Sequence, residues 1–131
     1  KLAVNAWSCV NASAQYAALE ALVGPQTAVG EMVTQFDARR KSVVMQLNKI
    51  PGVSCITPKG AFYAFPNVSK TGWKAKDLAS ELLEKTGVAT IGGPDFGTLG
   101  EGYIRISYAN SQENITRALT RMKEFLAQNP G

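Results

Sequence analysis

Apolar positions along this chain recur at two periods, three to four residues in some stretches and two in others, and the changes of period divide it into elements. Residues 12–22 are dense in Ala and Leu, with Tyr16 and Leu19 three apart, and predict a helix that Gly24-Pro25 stops. From Val29 onward Met32, Val33, Phe36, Val43, Val44, Leu47 and Ile50 recur at helical spacing until Pro51-Gly52. The opposite face of this second helix carries Asp37, Arg39, Arg40, Lys41 and Lys49. Beyond Gly52 the period shortens. Residues 53–56 and 61–65 are rich in strand formers and bounded by Pro58, Gly60 and Pro66, which predicts a hairpin. Leu78, Ala79, Leu82 and Leu83 make a third amphipathic helix with Gly87 just past its end. Residues 88–91 read as a strand, Gly92-Gly93-Pro94 as a turn and residues 103–109 as another strand. Asn110 with Glu113 three residues later fits a capping signal for a last helix striped by Ile115, Leu119, Met122 and Leu126.

The resulting order, α-α-β-β-α-β-β-α, predicts an α+β fold of two layers, a small and mostly antiparallel sheet with helices packed on one face. The first helix fits that plan least. Residues 22–27 separate it from the rest, so it is expected to dock elsewhere or to belong with a neighbouring domain, and a start at Lys1 without Met reads as a fragment.

Composition narrows the function classes. A chain of 131 residues with 45% hydrophobic content holds enough apolar surface for a core. Fourteen basic against ten acidic side chains give +4, too mild a surplus to imply a nucleic-acid or membrane surface. The absence of histidine excludes Ser-His-Asp and Cys-His catalysis, an imidazole base and histidine metal sites. Cys9 and Cys55 lie far apart, which excludes a C-x-x-C metal or redox motif and suits a reducing compartment. Residues 2–19 carry no formal charge, but Asn, Ser and Gln interrupt the apolar run that a membrane span needs, and no signal peptide is evident. The expectation is a soluble, cytoplasmic protein without a metal site.

Three stretches have candidate chemistry. In residues 103–109 the alternation puts Ile104, Ile106 and Tyr108 on one sheet face and Tyr103, Arg105, Ser107 and Ala109 on the other. A guanidinium held on a strand is rigidly aimed and suited to forked recognition of a carboxylate or phosphate, although spacing alone favours an arginine on the solvated face of a half-exposed sheet. Lys59-Gly60-Ala61-Phe62-Tyr63-Ala64-Phe65 has the basic, glycine and aromatic character of an RNA-binding strand, but its ring offsets and the element order differ from that motif, so a packed strand is the better reading. The glycine-rich run from Gly92 to Gly97 has the makings of an anion nest, yet Pro94 removes a donor and no Gly-Lys-Ser/Thr follows, so it reads as a mobile surface loop.

Together, three ordered motifs resemble the C-terminal part of class I/II aminotransferases, the pyridoxal-phosphate enzymes of the aspartate aminotransferase fold. They are residues 58–66 (Pro-Lys-Gly-Ala-Phe-Tyr-Ala-Phe-Pro), Gly87-Val88-Ala89 with the glycine-rich loop, and residues 102–109 (Gly-Tyr-Ile-Arg-Ile-Ser-Tyr-Ala). Ser8-Cys9-Val10-Asn11 with residues 15–19 is similar to the helix leading out of that family's large domain. The resemblance implies that residues 1–24 connect to a large domain outside this chain and that residues 25–131 form the small domain. It implies that Arg105, in an Arg-x-Ser strand motif, grips the α-carboxylate of an amino acid substrate. It places the Schiff-base lysine, the aspartate facing the pyridine nitrogen and the phosphate-binding groups in the large domain. Ser69-Lys70-Thr71-Gly72-Trp73-Lys74 looks like the lysine segment but falls in the wrong place, so Lys70 is expected on a surface loop. The fragment is thus expected to hold no catalytic or cofactor-binding residue of its own, while the intact enzyme would be a homodimer moving an amino group between an amino acid and a 2-oxo acid. A stand-alone binding module, with RNA contacted by Tyr63, Phe65 and the basic second helix, and a pyridoxal-phosphate enzyme of another reaction type are the alternatives.

Overall fold

A computed structural model describes residues 1–131. Its helices are α1 (Leu2–Trp7), α2 (Ala12–Val23), α3 (Thr27–Leu47), α4 (Ala75–Thr86) and α5 (Gln112–Gln128), and its strands are β1 (Tyr63–Ala64), β2 (Ile91–Gly92) and β3 (Ile104–Ser107). The chain divides into two compact units, Lys1–Val33 and Thr34–Gly131.

In the first unit, Asn11 caps α2 by accepting from the Ala14 N–H at 2.8 Å. The short α1 carries no periodic signal and was not expected. Neither helix buries a residue, and Leu2, Trp7, Tyr16, Leu19 and Leu22 all stand exposed.

In the second unit, β3 is the central strand, with β1 and β2 antiparallel on either side. Ile104 and Tyr108 point into a core made by Val43 and Leu47 of α3, Leu78 and Leu82 of α4, and Leu119 and Met122 of α5. The α+β expectation, with helices over one face of a small antiparallel sheet, holds. Gly87 ends α4 in the left-handed conformation (φ 69), as its position in the sequence implied.

Several boundaries differ from expectation for identifiable reasons. The hairpin shrinks to a single bridge between Ser54 and Asn67, and its second strand to Tyr63–Ala64. Asn48 at the end of α3 intercepts the first strand, since its amide accepts from the Cys55 N–H at 2.8 Å and donates to the Cys55 carbonyl at 3.0 Å. The strand at 88–91 retreats to Ile91–Gly92 because the Val88 N–H is taken by the Leu82 carbonyl at the end of α4. Ser111, not Asn110, caps α5 by accepting from the Asn114 N–H at 3.1 Å. Asn110 instead accepts from the Ser111 N–H and the Asn114 amide. On α5, Phe125 joins the buried stripe and Leu126 packs at its margin.

The N-terminus of α4 is capped from a distance. Lys74 offers no side-chain cap, and Glu101 Oε1 accepts from the Ala75 N–H at 3.0 Å and the Gly102 N–H at 3.2 Å. These two donors, the Ala75 N–H foremost, hold the Glu101 carboxyl below the ordinary glutamate value of 4.5. A depressed carboxylate contributes stability that is present above its unfolded value and is lost as pH falls through its folded one. Thermal unfolding should therefore show wild type losing stability below pH 4.5 more steeply than Glu101→Gln, whose cap does not titrate. Parallel pH profiles for the two proteins would remove Glu101 from this role.

Candidate functional site

The pairing register decides what shares the uncovered face of the sheet. Ile104, Ile106 and Ala64 face the helices, so Arg105 and Ser107 face away, with Tyr63 opposite Ser107 and Ile91 opposite Arg105. Arg105 thus occupies the central strand, half-buried, on the face no helix covers.

Two rings lie against its guanidinium. The Arg105 Cζ is 4.3 Å from the centre of the Tyr63 ring and 4.5 Å from that of Phe96. Tyr63 and Phe96 make no ring contact with each other, so they approach from different directions. The row of rings continues on both sides. Phe65 stacks on Tyr103 at 5.3 Å and meets Phe96 edge-on at 6.2 Å, while Tyr63 touches Phe62 at 4.4 Å. The ion pairs of the chain join Asp37 to Arg40 and Lys41, and Asp95 to Lys76, so no acid occupies the Arg105 fork.

Tyr63 owes its place to a strained turn. Ala61 adopts φ 58, a left-handed conformation costing about 1 kcal/mol for a residue with a Cβ. The buried Tyr108 hydroxyl donates to its carbonyl at 3.0 Å and holds that turn from beneath. Phe96 arrives from the glycine-rich segment, which is not an open loop: Gly93–Phe96 and Thr98–Gly100 are 3-10 turns. Alternation along β3 placed Arg105 on one sheet face and the family resemblance singled it out, but no local pattern predicted Phe96, because a ring delivered by a folded loop has no periodic signature.

Other candidate groups fall elsewhere. Lys70 is exposed in the turn Ser69–Thr71, as expected of a surface residue. The features offered for RNA are already engaged, with Tyr63 against Arg105 and Phe65 against Tyr103. On the basic helix, Arg40 donates to Asp37 and to the Pro58 carbonyl, and Lys41 pairs with Asp37 at 2.7 Å. Those two bases, Lys41 first, hold the Asp37 carboxyl below its usual range. No group of His, Cys, Asp and Glu residues is placed to hold a metal ion. No helix is long and apolar enough to cross a membrane.

Pyridoxal phosphate is held as an imine on a lysine amine. An imine-forming lysine needs an amine withdrawn from water so that it loses its proton readily. All nine lysines are exposed, and Asp95 raises the Lys76 ammonium above its ordinary value by accepting its hydrogen bond. No lysine of the chain meets that requirement, so these residues do not fit a cofactor-bearing role.

An α+β domain that sets a half-buried, unpaired arginine between aromatic rings on an uncovered sheet face has the makings of an anion-recognition domain. Residues 2–122 match the family "Aminotransferase class I and II", and the chain belongs to that family. It is 46% identical over 114 residues to an aspartate aminotransferase of Pyrococcus horikoshii, covering 86% of this chain and 29% of that protein. It is also 46% identical over 126 residues to the putative aminotransferase YugH of Bacillus subtilis, covering 96% and 32% respectively. Among solved structures, the alanine aminotransferase from Pyrococcus furiosus superimposes with a TM-score of 0.88 at 32% identity over 92% of this chain and 31% of its own. The aspartate aminotransferase from Rhizobium meliloti gives 0.87 at 34% identity over 96% and 34%. The chain therefore spans about a third of the relatives it matches. The family implies dependence on pyridoxal phosphate.

Proposed function

We propose that residues 25–131 are the small domain, and residues 1–24 the connection to the large domain, of a pyridoxal-phosphate-dependent aminotransferase that moves an amino group between an amino acid and a 2-oxo acid. Arg105 grips the α-carboxylate. The observation that carries this reading is the free guanidinium fork on the sheet's uncovered face. A bidentate, charge-assisted bond to a carboxylate fixes both position and orientation, so the α-carbon is presented in one pose to a base supplied from outside this chain. The cofactor, when bound to the large domain, supplies the electron sink for that chemistry. The unburied apolar side chains of α1 and α2 support packing of this segment against protein outside the chain, in a homodimer. Two free cysteines suit a cytoplasmic enzyme.

The experiment is direct. The full-length protein, loaded with pyridoxal phosphate, is offered L-aspartate or L-phenylalanine with 2-oxoglutarate, and amino transfer is measured by product formation. Transfer by the full-length protein and none by residues 1–131 alone is the expected result. A full-length protein that binds the cofactor yet transfers from neither of these donors nor from any other common L-amino acid would overturn the reading.

A further inference from the structure

The turn carrying Phe96 is fastened at its base and at its outer side. At the base, the Gly93 and Gly100 backbones approach so closely that a Cβ on either would lie 2.0 Å from the other's carbonyl oxygen, and the Gly93 N–H donates to the Tyr103 carbonyl at 2.7 Å. At the outer side, Asp95 Oδ1 meets Lys76 Nζ of α4 at 2.7 Å. Phe96 follows Asp95 directly. Phe96 is 51% exposed, so core burial does not explain where it rests; its ring meets the Arg105 guanidinium and, edge to face, the Phe65 ring.

A free arginine on a sheet surface samples many rotamers and loses that freedom on gripping a ligand. An acidic partner would restrain it but would occupy the fork. Rings restrain it differently, because guanidinium N–H groups lie in its plane and stacking on the faces leaves them free.

We propose that Phe96, set in place by the Lys76–Asp95 pair, is a positioning residue for Arg105 that fixes the guanidinium plane so that its N–H fork meets the substrate carboxylate. The proposal rests on the reading of Arg105 as the carboxylate grip. Phe96 touches no reacting atom; it acts through Arg105.

The test uses the full-length enzyme with its active donor and 2-oxoglutarate. Phe96→Ala should raise KM for the amino acid and the oxo acid together by about five- to tenfold, with kcat within about twofold. Phe96→Tyr, which keeps the ring, should restore both. A merely structural role would lower the active fraction, and with it apparent kcat, while leaving KM unmoved. Asp95→Asn should raise KM by about two- to threefold, the smaller share expected of an exposed ion pair. KM values for Phe96→Ala within twofold of wild type would overturn the proposal, and an unmoved KM in Asp95→Asn beside a raised one in Phe96→Ala would overturn the part given to the ion pair. Arg105→Lys, measured alongside, separates the two levels. If it lowers kcat/KM while Phe96→Ala changes nothing, the positioning role alone fails; if neither moves, the carboxylate grip fails as well.

Discussion

Replacing Arg105 by lysine in the full-length enzyme should lower kcat/KM for both the amino acid and the 2-oxo acid by about a hundredfold. The size follows from what the substitution removes. Hydrogen bonds to charged groups contribute about 1.5–3 kcal/mol, and a lysine ammonium keeps the charge but forms no planar fork. It also loses the contacts with the Tyr63 and Phe96 rings, whose centres lie 4.3 and 4.5 Å from the guanidinium carbon. A loss of about 2.7 kcal/mol of transition-state binding is a hundredfold in rate. Both substrates should suffer alike, since both present a carboxylate beside the reacting carbon. Arg105→Gln, which removes the charge as well, should fall further. The specific control is an amine that lacks the carboxylate: its slow turnover should be the same in wild type and variant. An unchanged kcat/KM in Arg105→Lys would remove Arg105 from the site.

The parts of this domain legible from sequence are those governed by repetition. The buried stripe of α5 and the alternation of β3 each repeat a simple period, so their core faces, and the outward direction of Arg105, follow from spacing. Other parts depend on single contacts between distant residues. Asn48 occupies the backbone of Cys55 and ends a strand that composition favoured, and Glu101 caps a helix that begins 26 positions before it. Neither contact leaves a periodic trace. The same holds for the site. Tyr63 and Phe96 stand 33 positions apart, and they meet Arg105 because one follows a turn held by Tyr108 and the other a loop folded on its glycines. Family resemblance raised Arg105 above the other cations, and the geometry around it explains why a guanidinium suits that position.

A large loss of stability is expected at Gly93, where the limit is space. Gly93 is buried, and a Cβ there would lie 2.0 Å from the Gly100 oxygen, 2.7 Å from the Tyr103 oxygen and 2.8 Å from the Gly100 carbonyl carbon. All three are backbone atoms, so no side-chain rotation relieves the clash. Relief requires the 3-10 turns to separate, which breaks the 2.7 Å bond from Gly93 to Tyr103 next to the central strand. Gly93→Ala should therefore cost about 3 kcal/mol, the upper end for overpacking, and lower the thermal midpoint by about 15 °C for a unit of this size. Gly97 supplies the contrast. Its φ of 129 disfavours a side chain, but nothing lies within 4 Å of a Cβ there, so Gly97→Ala bears conformational strain alone and should cost about 1–2 kcal/mol. Equal losses at the two positions would mean that the turn yields and that the close approach of Gly93 to Gly100 is not what anchors it. If Gly93→Ala is much the worse of the two, the loop that carries Phe96 to Arg105 is built on the absence of two Cβ atoms, and the residual enzyme should show the raised KM of Phe96→Ala at temperatures where it remains folded.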